Sequence, residues 1–85
     1  MRYDREIVAN RIRTMRAAHG LTQSDLAKRI DKSVDSLKIY EAGNGSISLD
    51  TAVALADVLG ITLEQLAGRE PLVIESFPLR DGEAS

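Results

Sequence analysis

The chain contains no cysteine and no tryptophan, and its aromatic residues are two tyrosines and one phenylalanine. Without cysteine there is no disulfide framework, no thiolate metal site and no cysteine nucleophile. A lone histidine, His19, cannot form the His/Cys cluster that a metal or catalytic centre needs. It falls at a predicted helix end, where a solvated side chain favoured by the helix dipole accounts for it. Carboxylates are scattered, so neither enzymatic activity nor a bound cofactor is expected. No apolar run approaches the roughly 18 residues of a membrane span. The opening stretch MRYDREIVANRIR is charged throughout and holds no apolar signal core. A cytoplasmic protein without a membrane partner is the expectation. Gly43-Asn44-Gly45 follows a predicted helix rather than a strand, so it is not a phosphate-binding loop.

What the chain has in quantity is aliphatic side chains and charge. Its 85 residues make one small domain with a modest core, which association with a second copy would stabilise. The formal net charge of −2 conceals a segregation. Residues 1–38 carry nine Lys/Arg and five Asp/Glu, whereas residues 39–85 carry two and eight. Such a division can place one positive face on an acidic molecule.

Hydrophobic spacing and capping residues divide the chain into five helices. The first runs from about Asp4, its cap, to His19, with Val8, Ile12 and Met15 on one side and Arg11, Arg13 and Arg16 spread over the rest; Gly20 stops it. Thr22 and Asp25 stand at capping-box spacing at the head of a second helix that buries Leu26, Ala27 and Ile30. After the break Asp31-Lys32-Ser33, Ser33 caps a third helix, which Gly43 ends. On it Leu37 and Tyr40 share one side with Glu41 at the edge. Asp35, Lys38, Ile39 and Ala42 point the other way, and Val34 lies between. Ser48 or Asp50 caps a fourth helix carrying Leu49, Ala52, Val53, Leu55, Ala56 and Leu59. Thr62 and Gln65 box a short fifth before Gly68.

The tail reads differently. PLVIESFPL, residues 71–79, sets an apolar run rich in β-branched residues between two prolines and predicts one extended segment. A lone strand has no sheet to join within a helical domain. It can pair with its twin in a second subunit, add to a partner's sheet, or lie as an arm on the bundle. Leu72, Val73, Ile74 and Phe77 are its candidate dimer or partner contacts.

A capped helix, a three-residue break and a second capped helix make a helix-turn-helix, whose second helix enters a DNA major groove. Residues 8–68 resemble, without a gap, the phage-repressor/Cro-type helix-turn-helix domain, also called the XRE family. The markers are GLTQSDLA, Ser33, the YEAG that ends the third helix, and LADVLGITLEQL. The resemblance implies an all-α, five-helix repressor-like bundle over residues 1–69, with residues 70–85 as a separate tail. It also implies roles. Gln23 would hydrogen-bond a DNA phosphate at the positive end of the second helix. Ser33 would cap the third helix and reach a phosphate through its hydroxyl or amide. Val34, Asp35, Lys38 and Ile39 would face base edges or the flanking backbone. Arg16 and Glu41 would pair to join the first helix to the third, with Arg16 also near a phosphate. The chain departs from the family pattern at three places. The loop NGSIS lacks the basic residue that relatives often carry, Asp31 takes a usual glycine position, and Lys32 a usual apolar one. Lys32, phosphate-facing, and Lys28 make good part of the missing charge.

The base-facing set has its own chemistry. Val34 and Ile39 can contact thymine methyl groups, Asp35 can accept from a cytosine amine, and Lys38 can donate to a guanine or neutralise a phosphate. The expected function is that of a double-stranded-DNA-binding transcriptional regulator, a homodimeric repressor reading a palindromic operator. The alternative is an antitoxin-like adaptor whose tail grips a partner protein and whose DNA binding is autoregulatory or lost.

Overall fold

The computed structural model describes residues 4–72, which form five α-helices. They are α1 (Arg5–Ala18), α2 (Gln23–Arg29), α3 (Val34–Glu41), α4 (Leu49–Leu59) and α5 (Leu63–Leu66). Each begins at a side chain able to take up backbone N–H groups left over at a helix start. Asp4 accepts from Glu6 and Ile7, Ser33 from Ser36 and Ser48 from Thr51. Thr22 with Asp25 and Thr62 with Gln65 close full capping boxes. Of the two caps open for α4, Ser48 takes the position.

The helix ends are equally uniform. After every helix the next amides turn back to the last turn's carbonyls, as Leu21 N–H does to Arg16 and Lys32 N–H to Ala27. This closure needs one residue of left-handed backbone. Gly20, Gly43, Gly60 and Gly68 supply it for four helices, and Asp31, at φ 59°, supplies it for α2.

Val8, Ile12 and Met15 of α1, Leu26, Ala27 and Ile30 of the α2 region, Leu37 of α3, Leu55, Ala56 and Leu59 of α4, and Leu66 of α5 form one core. Val34, Tyr40 and Ile47 pack around it half-buried. The spacing-derived stripes of α1 and α2 are therefore the buried ones. In α4 the pattern splits: Leu49 is 71% exposed and Val53 40%, although both are apolar.

Three arginines of α1 bind other elements rather than spreading over solvent. Arg11 donates to the carbonyls of Gln65 and Glu70 at 2.7 and 2.8 Å. Arg13 donates to the Glu41 carbonyl, and Arg16 pairs with the Glu41 side chain. His19 departs from the solvated expectation in the same way. Its ring is exposed, yet Nε2 donates to the Leu59 carbonyl at 2.7 Å, tying the end of α1 to the end of α4. Leu72, the last described residue, packs half-buried against the chain's own core. Val73, Ile74 and Phe77 lie outside the described residues.

Candidate nucleic-acid interface

The short α3 presents two unlike faces. Leu37 is fully buried, Tyr40 half-buried and Glu41 only 4% exposed. Asp35, Lys38 and Ala42 are exposed, and Ile39 is 48% exposed. Val34, at the boundary, is half-buried against the core. Ile39, beside an acid and a lysine, keeps about half of its surface open to solvent. That surface is displayed.

Glu41 determines how α3 is held. Its carboxylate receives Arg16 Nε at 2.7 Å and Arg16 Nη2 at 3.1 Å, a forked pair. Gln23, on the first turn of α2, adds an amide N–H at 3.1 Å. Arg16 also donates to the Leu21 carbonyl at 3.0 Å in the turn before α2. One buried carboxylate thus joins α1, α2 and α3. An acid removed from water would be costly if left unpaired, and here it has three donors. In return, the hydrogen bond from Arg16 to Glu41 and the attraction between the charges outweigh burial and push the guanidinium's pKa up.

The sequence-derived phosphate set is only partly gathered by this geometry. Gln23 sits half-buried at the start of α2 with one amide hydrogen given to Glu41. Arg16 is half-buried and engaged twice over. Ser33 Oγ bonds both the Ser36 amide and the Ser36 hydroxyl, each at 3.1 Å. Lys32 is exposed immediately before the Ser33 cap. Lys28 and Arg29, in the last turn of α2, are exposed as well. Three exposed cations thus precede α3 in the chain, with the exposed Asp31 among them.

The loop after α3 lies against that face. A Cβ added at Gly45 would stand 2.7 Å from Ile39 Cγ2, so the backbone passes where only glycine fits. Arg5 reaches the same loop, donating to Ser46 Oγ at 2.8 Å. Sequence reasoning assigned no role to Arg5, because nothing in local spacing links residues 41 positions apart.

A second surface lies across the molecule's α4–α5 side. Val8, Ile47, Leu49, Ala52, Leu63 and Leu66 line an apolar groove of about 340 Å³. Leu63, like Val53, is 40% exposed. Among the described residues no group of acidic or histidine side chains is arranged to hold a metal ion. No helix among them is long and apolar enough to cross a membrane.

Comparison with known proteins bears on this arrangement. A helix-turn-helix family model matches residues 12–66. The cryptic phage CTXphi transcriptional repressor RstR of Vibrio cholerae is 36% identical over 62 residues, 73% of this chain. The chain spans 55% of that repressor's length. The uncharacterized HTH-type transcriptional regulator MJ0272 of Methanocaldococcus jannaschii is 35% identical over 57 residues, 67% of this chain and 86% of the relative. Among solved structures, the restriction-modification controller protein C.AhdI of Aeromonas hydrophila superposes with a TM-score of 0.70 at 30% identity. That match covers 74% of this chain and 96% of the other.

Proposed function

The chain belongs to the helix-turn-helix family of the XRE type, and on that premise we propose that it is a transcriptional regulator that reads double-stranded DNA through α3. The observation that carries this reading is the displayed Asp35, Lys38 and Ile39 surface, backed by the buried Glu41 clasp. A rigidly held helix with polar and aliphatic side chains outward can insert into a major groove without reorganising. Ile39 and the exposed part of Val34 suit thymine methyls, Asp35 a cytosine amine, and Lys38 a guanine or a phosphate.

Gln23 fits the phosphate role although it is bonded to Glu41. An amide has two hydrogens, and Glu41 takes one while fixing the group's orientation, so the other can meet a phosphate at the start of α2. For Ser33, whose hydroxyl is already bonded to Ser36, the amides at the start of α3 are the better donors. Lys32 adds a long-range cation, and Arg16 acts mainly by positioning.

One monomer neutralises few phosphates, so specific binding calls for two. The proposal is a homodimer with two α3 helices about 34 Å apart on a palindrome, acting as a repressor by occupying promoter DNA. The α4–α5 groove supports self-association, since it exposes apolar area bordered by Glu64 and Arg69, as a protein contact would. Of the tail residues expected to make a dimer or partner contact, Leu72 packs against the chain's own core, and Val73, Ile74 and Phe77 are kept as candidates from the sequence alone. The same groove supports the adaptor reading, in which a different protein rather than a second copy covers it.

Selection from random duplex DNA tests the proposal. It should recover an inverted repeat with half-sites one helical turn apart. The double variant Gln23→Ala, Lys38→Glu should lose binding in a gel shift while still folding, with a melting point lowered only by the lost Gln23 bond to Glu41. Unchanged affinity would refute the assignment. Recovery of no sequence, together with co-purification of an unrelated protein on the groove, would favour the adaptor.

A further inference from the structure

Arg5 opens α1, where a cation faces the positive end of the helix dipole. The acids at this end, Asp4 and Glu6, suit it; Arg5 does not. A residue that breaks a local rule without local gain marks a place to look for function. Its side chain reaches out of the helix to Ser46, donating from Nη2 at 2.8 Å. The backbone brings the same two elements together. A Cβ at Gly43 would stand 3.6 Å from the Arg5 carbonyl oxygen, and two residues later Gly45 passes against Ile39. Arg5, the α3–α4 loop and the displayed end of α3 thus form one continuous surface.

That surface has a chemical gap. A helix reading base edges is held in register by phosphate contacts on its flanks. In the chain just before α3 come Lys28, Arg29 and Lys32, all exposed. In the chain after it, residues 43–48 contain no lysine or arginine. Arg13, also near the end of α3, is engaged by the Glu41 carbonyl. Arg5 is exposed, and a guanidinium has five N–H donors, of which Ser46 takes one. The remaining edge can grip a phosphate with two parallel bonds.

We propose that Arg5 is a DNA-phosphate contact supplied from α1 and steered by Ser46 to the flank of α3 that the loop leaves without a cation. The inference rests on the DNA-reading function above. Asp4 and Glu6 stand on either side of Arg5, so its effect requires direct pairing with phosphate rather than a broad positive field.

The test is fluorescence anisotropy of the full chain with a labelled duplex recovered by the selection, repeated over a range of salt concentrations. Arg5→Ala should bind several-fold more weakly at low salt. Its plot of log affinity against log salt should flatten by about 0.9 for each contacting subunit. Arg5→Lys should restore the slope. Ser46→Ala should weaken binding with the slope unchanged, because the charge remains. Thermal unfolding of Arg5→Ala should match the parent or rise, since a cation leaves the wrong end of α1. Should Arg5→Ala instead melt early, Arg5→Gln, which keeps a donor for Ser46 without the charge, decides by its slope. Parent-like affinity and slope in the uncharged variants would overturn the proposal. A parent chain that binds no duplex would overturn the DNA reading itself.

Discussion

At the scale of single residues, two side chains carry unusual duties. Asp31 is the one non-glycine among the left-handed positions of the described chain. Aspartate tolerates that backbone better than most residues but not as freely as glycine. Asp31→Gly should be neutral or add up to about 1 kcal/mol, part of the relief being offset by the looser unfolded chain. Asp31→Val should lose about 1–2 kcal/mol, because a β-branched residue resists positive φ. Urea unfolding midpoints at constant slope would measure both. Glu41 is the second case. Arg16→Ala strands its carboxylate, 4% exposed, with only the Gln23 amide as a side-chain partner, and should cost about 3–5 kcal/mol. The paired change Arg16→Met, Glu41→Leu removes both charges together and should recover most of that loss. A double variant no more stable than Arg16→Ala would show that the pair is not what Arg16 contributes.

At the scale of elements, capping explains why such short helices form where they do. α2 has only seven residues, too few to persist alone. It is fixed at its head by Thr22 and Asp25, whose bonds are 3.0 and 3.1 Å. The Thr22 backbone N–H, and then its hydroxyl, hold the Asp25 carboxyl below its usual pKa. A carboxyl with a lowered folded pKa stabilises the fold fully above its unfolded value. That contribution fades as pH falls through the folded one. The parent should therefore lose stability relative to Asp25→Asn below about pH 4 and hold a constant difference above it. Melting curves from pH 2 to 7 would reveal this; parallel curves throughout would remove Asp25 from the account. The elements were largely legible in the sequence for the same reason. Thr22 to Asp25, Ser33 to Ser36 and Thr62 to Gln65 are contacts three residues apart, and the period of Val8, Ile12 and Met15 names its own buried face. Of the Glu41 clasp, the Arg16 pair was legible only through family resemblance and the Gln23 bond was not legible at all, because these donors lie 25 and 18 positions away.

At the scale of the whole molecule, the proposed function assigns the two exposed surfaces different work: α3 for DNA, and the α4–α5 groove for a protein contact. Leu49 is the most exposed large apolar residue described. It adds little to the core, so Leu49→Asp should leave the fold intact. Sedimentation should then show a shift from dimer to monomer, and binding to a full palindrome should fall more than binding to a half-site. A Leu49→Asp chain that still sediments as a dimer would remove the groove from the self-association.

The sequence by itself determined the five helices, their caps and ends, and most of the buried stripe. Each depends on interactions within a few residues, which the chain order lays out directly. Tertiary structure alone decided what the long polar side chains touch. Arg5 meets Ser46, Arg11 the carbonyls of Gln65 and Glu70, His19 that of Leu59, and Gln23 joins Arg16 on Glu41. It also decided that Leu49 and Val53 face outward although their helix is apolar on several sides. A side chain of several rotatable bonds can reach many partners, and which one it finds is set only when the packed core brings distant helix ends together.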